Sequence, residues 1–307
     1  MRRNDLWTRE YDQRRFLANF SADDLNERFG DIVTNSLSLR GAPPRLATHS
    51  DKRRMGYWGR KLSHTAREFE LRGAHPIGSP NLVPLPSDEK AQRASKVCAE
   101  WGVPPAGALV KYGELRHLRE FMQHGRLLVR PASYYRQQDL AHAIRDDELQ
   151  FSRIVAADRL PTLTVHDGTT RRIKARGVRP LSMTVTTSMA TDYYLFCLSR
   201  SWDPRLFLMD PKYDAAVVIH DADVVRRVDA AVRSIQPFDD LHPFDVDYVD
   251  PVETTDADCL LPFVKHFRFA FQQEFRTAWI PTEHVDALDS VSVEIGALGR
   301  SASLVHL

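Results

Sequence analysis

Phe267-Arg268-Phe269-Ala270-Phe271-Gln272-Gln273-Glu274-Phe275-Arg276 is the stretch whose reading decides the fold. Successive side chains of a strand point to opposite faces, so its two-residue alternation predicts a strand with Phe267, Phe269, Phe271 and Phe275 on one side. Arg268, Gln272, Glu274 and Arg276 then share the other side, neighbours two apart lying roughly 7 Å from each other. A glutamate flanked by a glutamine and an arginine on one face resembles a catalytic edge. Polar residues facing water on a half-buried antiparallel strand fit the pattern equally well.

Outward from this segment, strands dominate the second half of the chain. Expected strands are Ala108 to Tyr112, Arg126 to Val129, Tyr193 to Leu198, Ala215 to Ile219 and Ser290 to Ile295, with a hairpin of Leu160 to Val165 and Arg171 to Ala175 turning at Asp167-Gly168. Helices are expected from about Asp88 to Trp101, from Glu114 to His124 with a stop at Gly125, and from about Asp139 to Glu148. Runs of strands with helices gathered in the first half give an α+β class, not an alternating doubly wound sheet. Residues 1 to 87 differ from the rest. Arginine-rich clusters alternate with short amphipathic pieces, a helix carrying Leu25 and Phe29 capped by Ser21 or Asp23, and another from Thr65 to Leu71 stopped at Gly73. Residues 74 to 87 hold four prolines and read as a linker, so the chain divides into an N-terminal helical extension (1–87) and a main domain (88–307).

Composition bounds the function. A chain of 307 residues, 43% hydrophobic, has material for a sizeable core, and a formal net charge of +1 lacks the basic excess of a protein that coats nucleic acid. The three cysteines, Cys98, Cys197 and Cys259, show no metal-type spacing and sit among apolar neighbours, as reduced buried thiols do, which points to the cytoplasm. No apolar run follows Met1-Arg2-Arg3 and none reaches the ~20 residues that span a bilayer, so neither a secretory signal nor membrane insertion is expected. Glycine-rich phosphate loops, Gly-x-Ser-x-Gly elbows and paired Cys/His motifs are absent. His117, His124 and His142 have surface histidine as their default reading, with no metal expected there. The acidic run Asp146-Asp147-Glu148 with Asp139 would suit a metal-dependent nuclease only through an irregular turn; a solvated helix end is the simpler expectation.

The order of Val110-Lys111-Tyr112-Gly113, a helix, a glycine and strand reaching Pro131-Ala132-Ser133-Tyr134, a strand ending Cys197-Leu198-Ser199, and the late Gln272-Gln273-Glu274 resembles the ADP-ribosyltransferase superfamily, in particular bacterial branches whose late strand reads aromatic-x-x-Glu-aromatic-Arg. The resemblance covers roughly residues 105 to 307 and implies a split antiparallel sheet. It implies NAD as substrate, Glu274 as the catalytic glutamate and Gln272 as the residue that orients the acceptor, with Lys111, Tyr112, Arg130, Tyr134 and Ser199 around the cofactor. A fixed carboxylate near the ribose suits this chemistry, because oxocarbenium charge exists fully only at the transition state. Where the family offers arginine, or histidine with a following tyrosine, this chain has Lys111-Tyr112; a lysine holds phosphate as a point charge without the arginine fork. Arg116 or Arg130 would substitute, and Tyr134 or Tyr135 would stack. Such branches often serve as toxins or antiphage effectors that modify a protein or nucleic-acid acceptor. The extension, with Trp7, Tyr11, Tyr57 and Trp58 among its arginines, would present that acceptor or contact RNA, although arginines on exposed helical faces explain it as well. A non-catalytic nucleotide- or partner-binding module on the same fold is the alternative.

Overall fold

The computed structural model describes residues 3–38, 45–46, 52–77, 88–156, 165–166, 172–173, 182–254 and 260–307. Its helices are α1 (Arg3–Arg14), α2 (Ala22–Ser36), α3 (Lys52–Leu71), α4 (Glu89–Trp101), α5 (Leu115–His124) and α6 (Asp223–Arg233). The main sheet is built from β1 (Leu109–Gly113), β2 (Arg126–Pro131), β3 (Tyr194–Ser199), β4 (Ala215–Ile219), β5 (Phe244–Asp245), β6 (Glu274–Trp279), β7 (Val291–Glu294) and β8 (Ala302–His306). Strand order is β5-β6-β3-β1-β4-β8, with β2 joining β3 to β7 off that path, and every pairing is antiparallel. The α+β class expected from the sequence is the class observed. No helix among the described residues is long and apolar enough to cross a membrane.

Strand β4 reads Ala-Ala-Val-Val-Ile because it is buried on both faces. Val217 and Ile219 meet Leu118 and Phe121 of α5 and the valines of α6. Ala216 and Val218 meet Ala94 of α4 with Trp202 and Phe207 on the opposite side. Asp88 caps α4 by accepting from the Lys90 amide at 2.9 Å. Helix α5 ends as its glycine predicts. Gly125 has φ 71°, and a Cβ built there would stand 2.1 Å from the Gly296 carbonyl oxygen. Gly125→Ala is therefore expected to lower stability by at least the ~1–2 kcal/mol of a left-handed non-glycine residue, measured as a fall in Tm.

The strands β1 and β3 pair only at Val110 and Ser199, and β2 meets β3 only at Arg130–Leu195 and Pro131–Tyr194. The sheet thus opens around β3, which remains in full register with β6 from Glu274–Ser199 to Trp279–Tyr194.

Two expectations are corrected. Phe267–Gln272 is a 3-10 helix, not part of a strand; strand β6 begins only at Glu274. At three residues per turn, side chains two apart radiate about 120° from one another, so the three phenylalanines face three different partners. Phe267 packs with Ile32 and Trp58 of the extension, Phe271 joins the Trp202 cluster, and Phe269 lies under the Lys265 ammonium at 4.6 Å. Likewise, residues 139 to 148 form turns in place of the expected helix. Tertiary bonds decide that course, since the Glu148 carbonyl accepts from the Tyr193 hydroxyl at 2.6 Å and the Asp146 amide donates to the Tyr135 carbonyl at 3.0 Å.

Ser21 caps α2, accepting from the Asp24 amide at 3.0 Å, and α2 and α3 are both longer than the short pieces expected. The predicted hairpin is represented by the pairs Val165–Ile173 and His166–Arg172; its Asp167-Gly168 turn lies outside the described residues, as do Cys259 and linker residues 78 to 87. The extension packs onto the main domain. Arg28 grips Asp250 through both terminal nitrogens, at 3.1 and 2.7 Å, and Lys61 bonds the same carboxylate.

Candidate functional site

Alternation along β6 puts Glu274, Arg276 and Ala278 on one face, opposite Ser199, Cys197 and Leu195 in the register with β3. The preceding 3-10 turn starts where His266 Nδ1 accepts from the Arg268 amide at 3.1 Å, and it ends at Gln273. Gln273 has φ 44° and ψ 54°, a left-handed conformation that a non-glycine residue holds only when its surroundings enforce it. They do. The Gln273 carbonyl accepts from the Arg200 amide at 2.9 Å, the Gln272 carbonyl from the Ser199 hydroxyl at 2.6 Å, and the Glu274 amide donates to the Tyr248 hydroxyl at 2.7 Å. This hinge turns Gln272 and Glu274 towards one point, so the Lys265 ammonium reaches Gln272 Oε1 at 3.3 Å and Glu274 Oε1 at 2.8 Å.

Lys265 belongs to a buried set of four charges. Arg276, with no exposed surface, donates from Nε to Glu274 Oε2 at 2.6 Å and from both terminal nitrogens to Glu148, at 2.7 and 2.6 Å. Lys265 also lies 3.3 Å from Glu148. Burial opposes ionisation of Glu274, but Arg276 and Lys265 outweigh it and hold the carboxyl well below its ordinary range. The Lys265 ammonium is raised for the reciprocal reason, Glu274 and Glu148 prevailing over burial. Glu274 is thus a permanent carboxylate near neutral pH. It cannot donate a proton; it accepts hydrogen bonds and stabilises positive charge.

These residues line a cavity of about 90 Å³ together with Lys111, Cys197 and Ser199. Lys111 reaches across the opening between β1 and β3 to the Cys197 carbonyl at 3.0 Å, with its ammonium 5.2 Å over the Phe196 ring. Among the described residues it forms no ion pair, and burial lowers its pKa, Arg130 adding to the effect. Burial also pushes the Cys197 thiol up to about 11, which makes it a poor nucleophile. A second cavity of about 310 Å³ has Glu274 in its wall as well, along with Tyr248, Phe271 and Arg200 from the main domain and Asn35, Tyr57 and Trp58 from the extension. Glu274 therefore stands between two spaces.

Of the residues singled out in the sequence, Gln272, Glu274, Lys111 and Ser199 come together. Tyr112 lines the same cavity, but its hydroxyl is directed away, donating to the Ser201 carbonyl at 2.9 Å, and its ring packs against Trp202 and Phe207. The Ser199 hydroxyl holds the Gln272 backbone and, at 2.9 Å, the Ser201 amide, so it shapes the hinge. Arg130 and Tyr134 form a separate pair, the guanidinium 4.0 Å from the ring, with Arg130 also 3.4 Å from the Ser290 hydroxyl. Glu148 and Lys265 escaped the sequence reading. Lys265 carried a signal, as a lone charge in the apolar run Leu261-Pro262-Phe263-Val264. Glu148 carried none beyond an acidic run that resembled a solvated helix end. No group of three or more His, Cys, Asp or Glu side chains among the described residues is gathered as metal ligands, and Glu148, the nuclease candidate's acid, is clamped by Arg276.

Comparisons with protein-family models, with curated proteins and with solved structures gave no match.

Proposed function

We propose that this chain is an NAD-dependent ADP-ribosyltransferase with Glu274 as its catalytic carboxylate. The observation that carries the proposal is the convergence of Gln272 and Glu274, through the left-handed hinge at Gln273, onto one ammonium in a small cavity whose wall also holds Lys111, which forms no ion pair among the described residues. About 90 Å³ is room for roughly three waters, hence for one small ring and not for a dinucleotide. Nicotinamide would occupy it, while the ribose would sit at its mouth beside Glu274 and the pyrophosphate would run outside, towards Lys111 and Arg130. The bond between C1′ of the ribose and the nicotinamide nitrogen breaks with its electron pair leaving on nitrogen. The ionised Glu274 stabilises the oxocarbenium charge that appears on the sugar, and an acceptor nucleophile then bonds to C1′ and loses its proton. That acceptor, a protein or nucleic-acid group, would approach from the larger cavity on the far side of Glu274, past Tyr57 and Trp58. Toxin and antiphage roles suit such an activity.

The test is nicotinamide release from labelled NAD, with and without cell lysate. Glu274→Gln is expected to reduce it about hundredfold or more, as for other fixed electrostatic groups. Because the folded carboxyl ionises well below its ordinary range, wild-type activity should show no acid limb between neutrality and about pH 5. A second reading, a non-catalytic binding module, is favoured by one fact: both oxygens of Glu274 already accept bonds from Lys265 and Arg276. Absence of release from the wild type in every lysate would transfer the site to that reading.

A further inference from the structure

Between α2 and the turn at Phe267 lies a third cavity, of about 330 Å³, in which Glu274 has no part. Its walls carry Asp24, Glu27, Arg28 and Asp31 from α2, His266 and Arg268 from the turn, and the rings of Phe16 and Phe20. Most of these charges are satisfied. Arg28 is bound to Asp250, Asp24 to the Ser21 amide and hydroxyl, and Glu27 lies 3.5 Å from Arg268. Arg28 Nε and Arg268 Nε have no hydrogen-bond partner among the described residues, and among the carboxyls Asp31 is the exception. It is 7% exposed, lines the cavity, and its carboxyl has neither a hydrogen bond nor an ion pair among the described residues. Nine-tenths buried carboxyls are nearly always bonded, so an unbonded one facing open space calls for a donor from outside.

We propose that this cavity binds a primary ammonium carried on an apolar stem, with Asp31 as its counter-charge and Phe16 and Phe20 beside the stem. Three carboxylates face the cavity against Arg268 as the one cation not held by a carboxylate outside it, which leaves the space electronegative. A metal ion is a poor fit, since no metal-ligand group is assembled among the described residues. The aromatic walls suit an organic cation instead. The inference is independent of NAD cleavage, because it uses neither Glu274 nor its partners.

Titration gives the site a signature. Burial pushes the Asp31 carboxyl up to about 7, Arg268 opposing and Glu27 reinforcing the rise, whereas His266 is held down to about 3 by burial and stays neutral. An ammonium binds the ionised carboxylate, so affinity must rise with pH through neutrality and binding near pH 6 must release a proton. The probe is n-pentylamine, titrated calorimetrically into the full chain, with 1-pentanol as the neutral control and Nα-acetyl-lysine methylamide as the side-chain analogue. Wild type is expected to bind pentylamine roughly tenfold more tightly at about pH 8 than at about pH 6, and pentanol without pH dependence. Asp31→Asn should lose roughly tenfold or more in affinity and the whole pH dependence, while melting no lower than wild type because it removes an unbonded carboxyl. Tighter binding of the lysine analogue assigns the ammonium to a protein side chain, tighter binding of pentylamine to a free amine. Failure of both amines to bind at millimolar concentration, or equal binding by a folded Asp31→Asn, overturns the proposal.

Discussion

Arg276→Met is expected to destabilise the protein by about 3–5 kcal/mol, the range for removing one partner from a buried ion network. The side chain has no exposed surface, and its guanidinium donates to both carboxylates. Its loss leaves Glu148 with Lys265 at 3.3 Å and strips one oxygen of Glu274 of its donor. Methionine fills much of the volume, so the loss reflects uncompensated charge more than a cavity. Two measurements isolate that cause. In urea unfolding, adding Glu148→Gln to Arg276→Met should cost less than the sum of the single changes by about 1–3 kcal/mol, since the second substitution removes a charge the first has orphaned. The pH dependence follows from the depressed Glu274 ionisation. A carboxyl whose folded pKa lies below its unfolded one contributes stability above the unfolded value, and that contribution disappears as pH falls through the folded value. In the variant the folded value rises, so wild type and variant should converge as pH falls from about 4.5 to about 2, where only wild type has stability of this kind to lose. A constant gap across that range would mean that Arg276 acts through packing alone.

The same residues show how much the sequence discloses. Local signals placed the sheet well. The unbroken apolar run of β4, the helix before Gly125 and the strand ending at Ser199 each depend on contacts that any sheet with helices on both faces would supply. The segment Phe267–Gln272 was misread because phenylalanines at alternate positions fit a strand with one buried face and equally a 3-10 helix buried all round. What distinguishes the two is a partner for Phe267, namely Trp58 in the extension, and no local pattern carries that information. The candidate site divides along the same line. Gln272 and Glu274 were legible as neighbours two residues apart, although a hinge and not strand pleating brings them together. Glu148 was not legible, because its burial follows from a pairing with Arg276 far along the chain. Tyr112 and Ser199 were found at the right place with a different task, their hydroxyls holding the loop after β3 and the Gln272 backbone.

Asp250→Asn is expected to release the N-terminal extension, at a loss of about 3 kcal/mol or more from two buried cations that lose their shared counter-charge. Asp250 is 5% exposed; it takes both terminal nitrogens of Arg28 and the ammonium of Lys61, and its Oδ1 also accepts from the Val252 amide at 3.0 Å. Burial opposes its ionisation, but Arg28 and Lys61 prevail and drive its pKa far below the ordinary carboxylate range. After substitution Lys61 retains Glu253 at 3.0 Å, whereas Arg28 has only the same carboxylate at 3.8 Å. The contact of Phe267 with Ile32 and Trp58 remains, as do Val252 in the cluster of Leu25 and Phe69, the Arg205 bond to the Thr34 carbonyl at 2.7 Å and the Asn35 bond to the Arg268 carbonyl at 2.9 Å, and these must then hold the interface. Limited trypsin digestion at neutral pH should cut within α2 and α3 of the variant while the sheet stays intact. Wild type should become equally sensitive only on strong acidification, since a depressed carboxyl gives stability above its unfolded pKa and loses it as pH falls through the folded one. Equal resistance of both proteins would show that the remaining contacts suffice for docking. The substitution also separates the two spaces beside Glu274. Tyr57 and Trp58, on α3, wall the larger cavity, and among the described residues none of the extension lines the smaller one. Under the proposed transferase reading, an undocked extension should therefore impair transfer to a macromolecular acceptor while sparing hydrolysis of NAD by water, and equal loss of both would remove the extension from acceptor recognition.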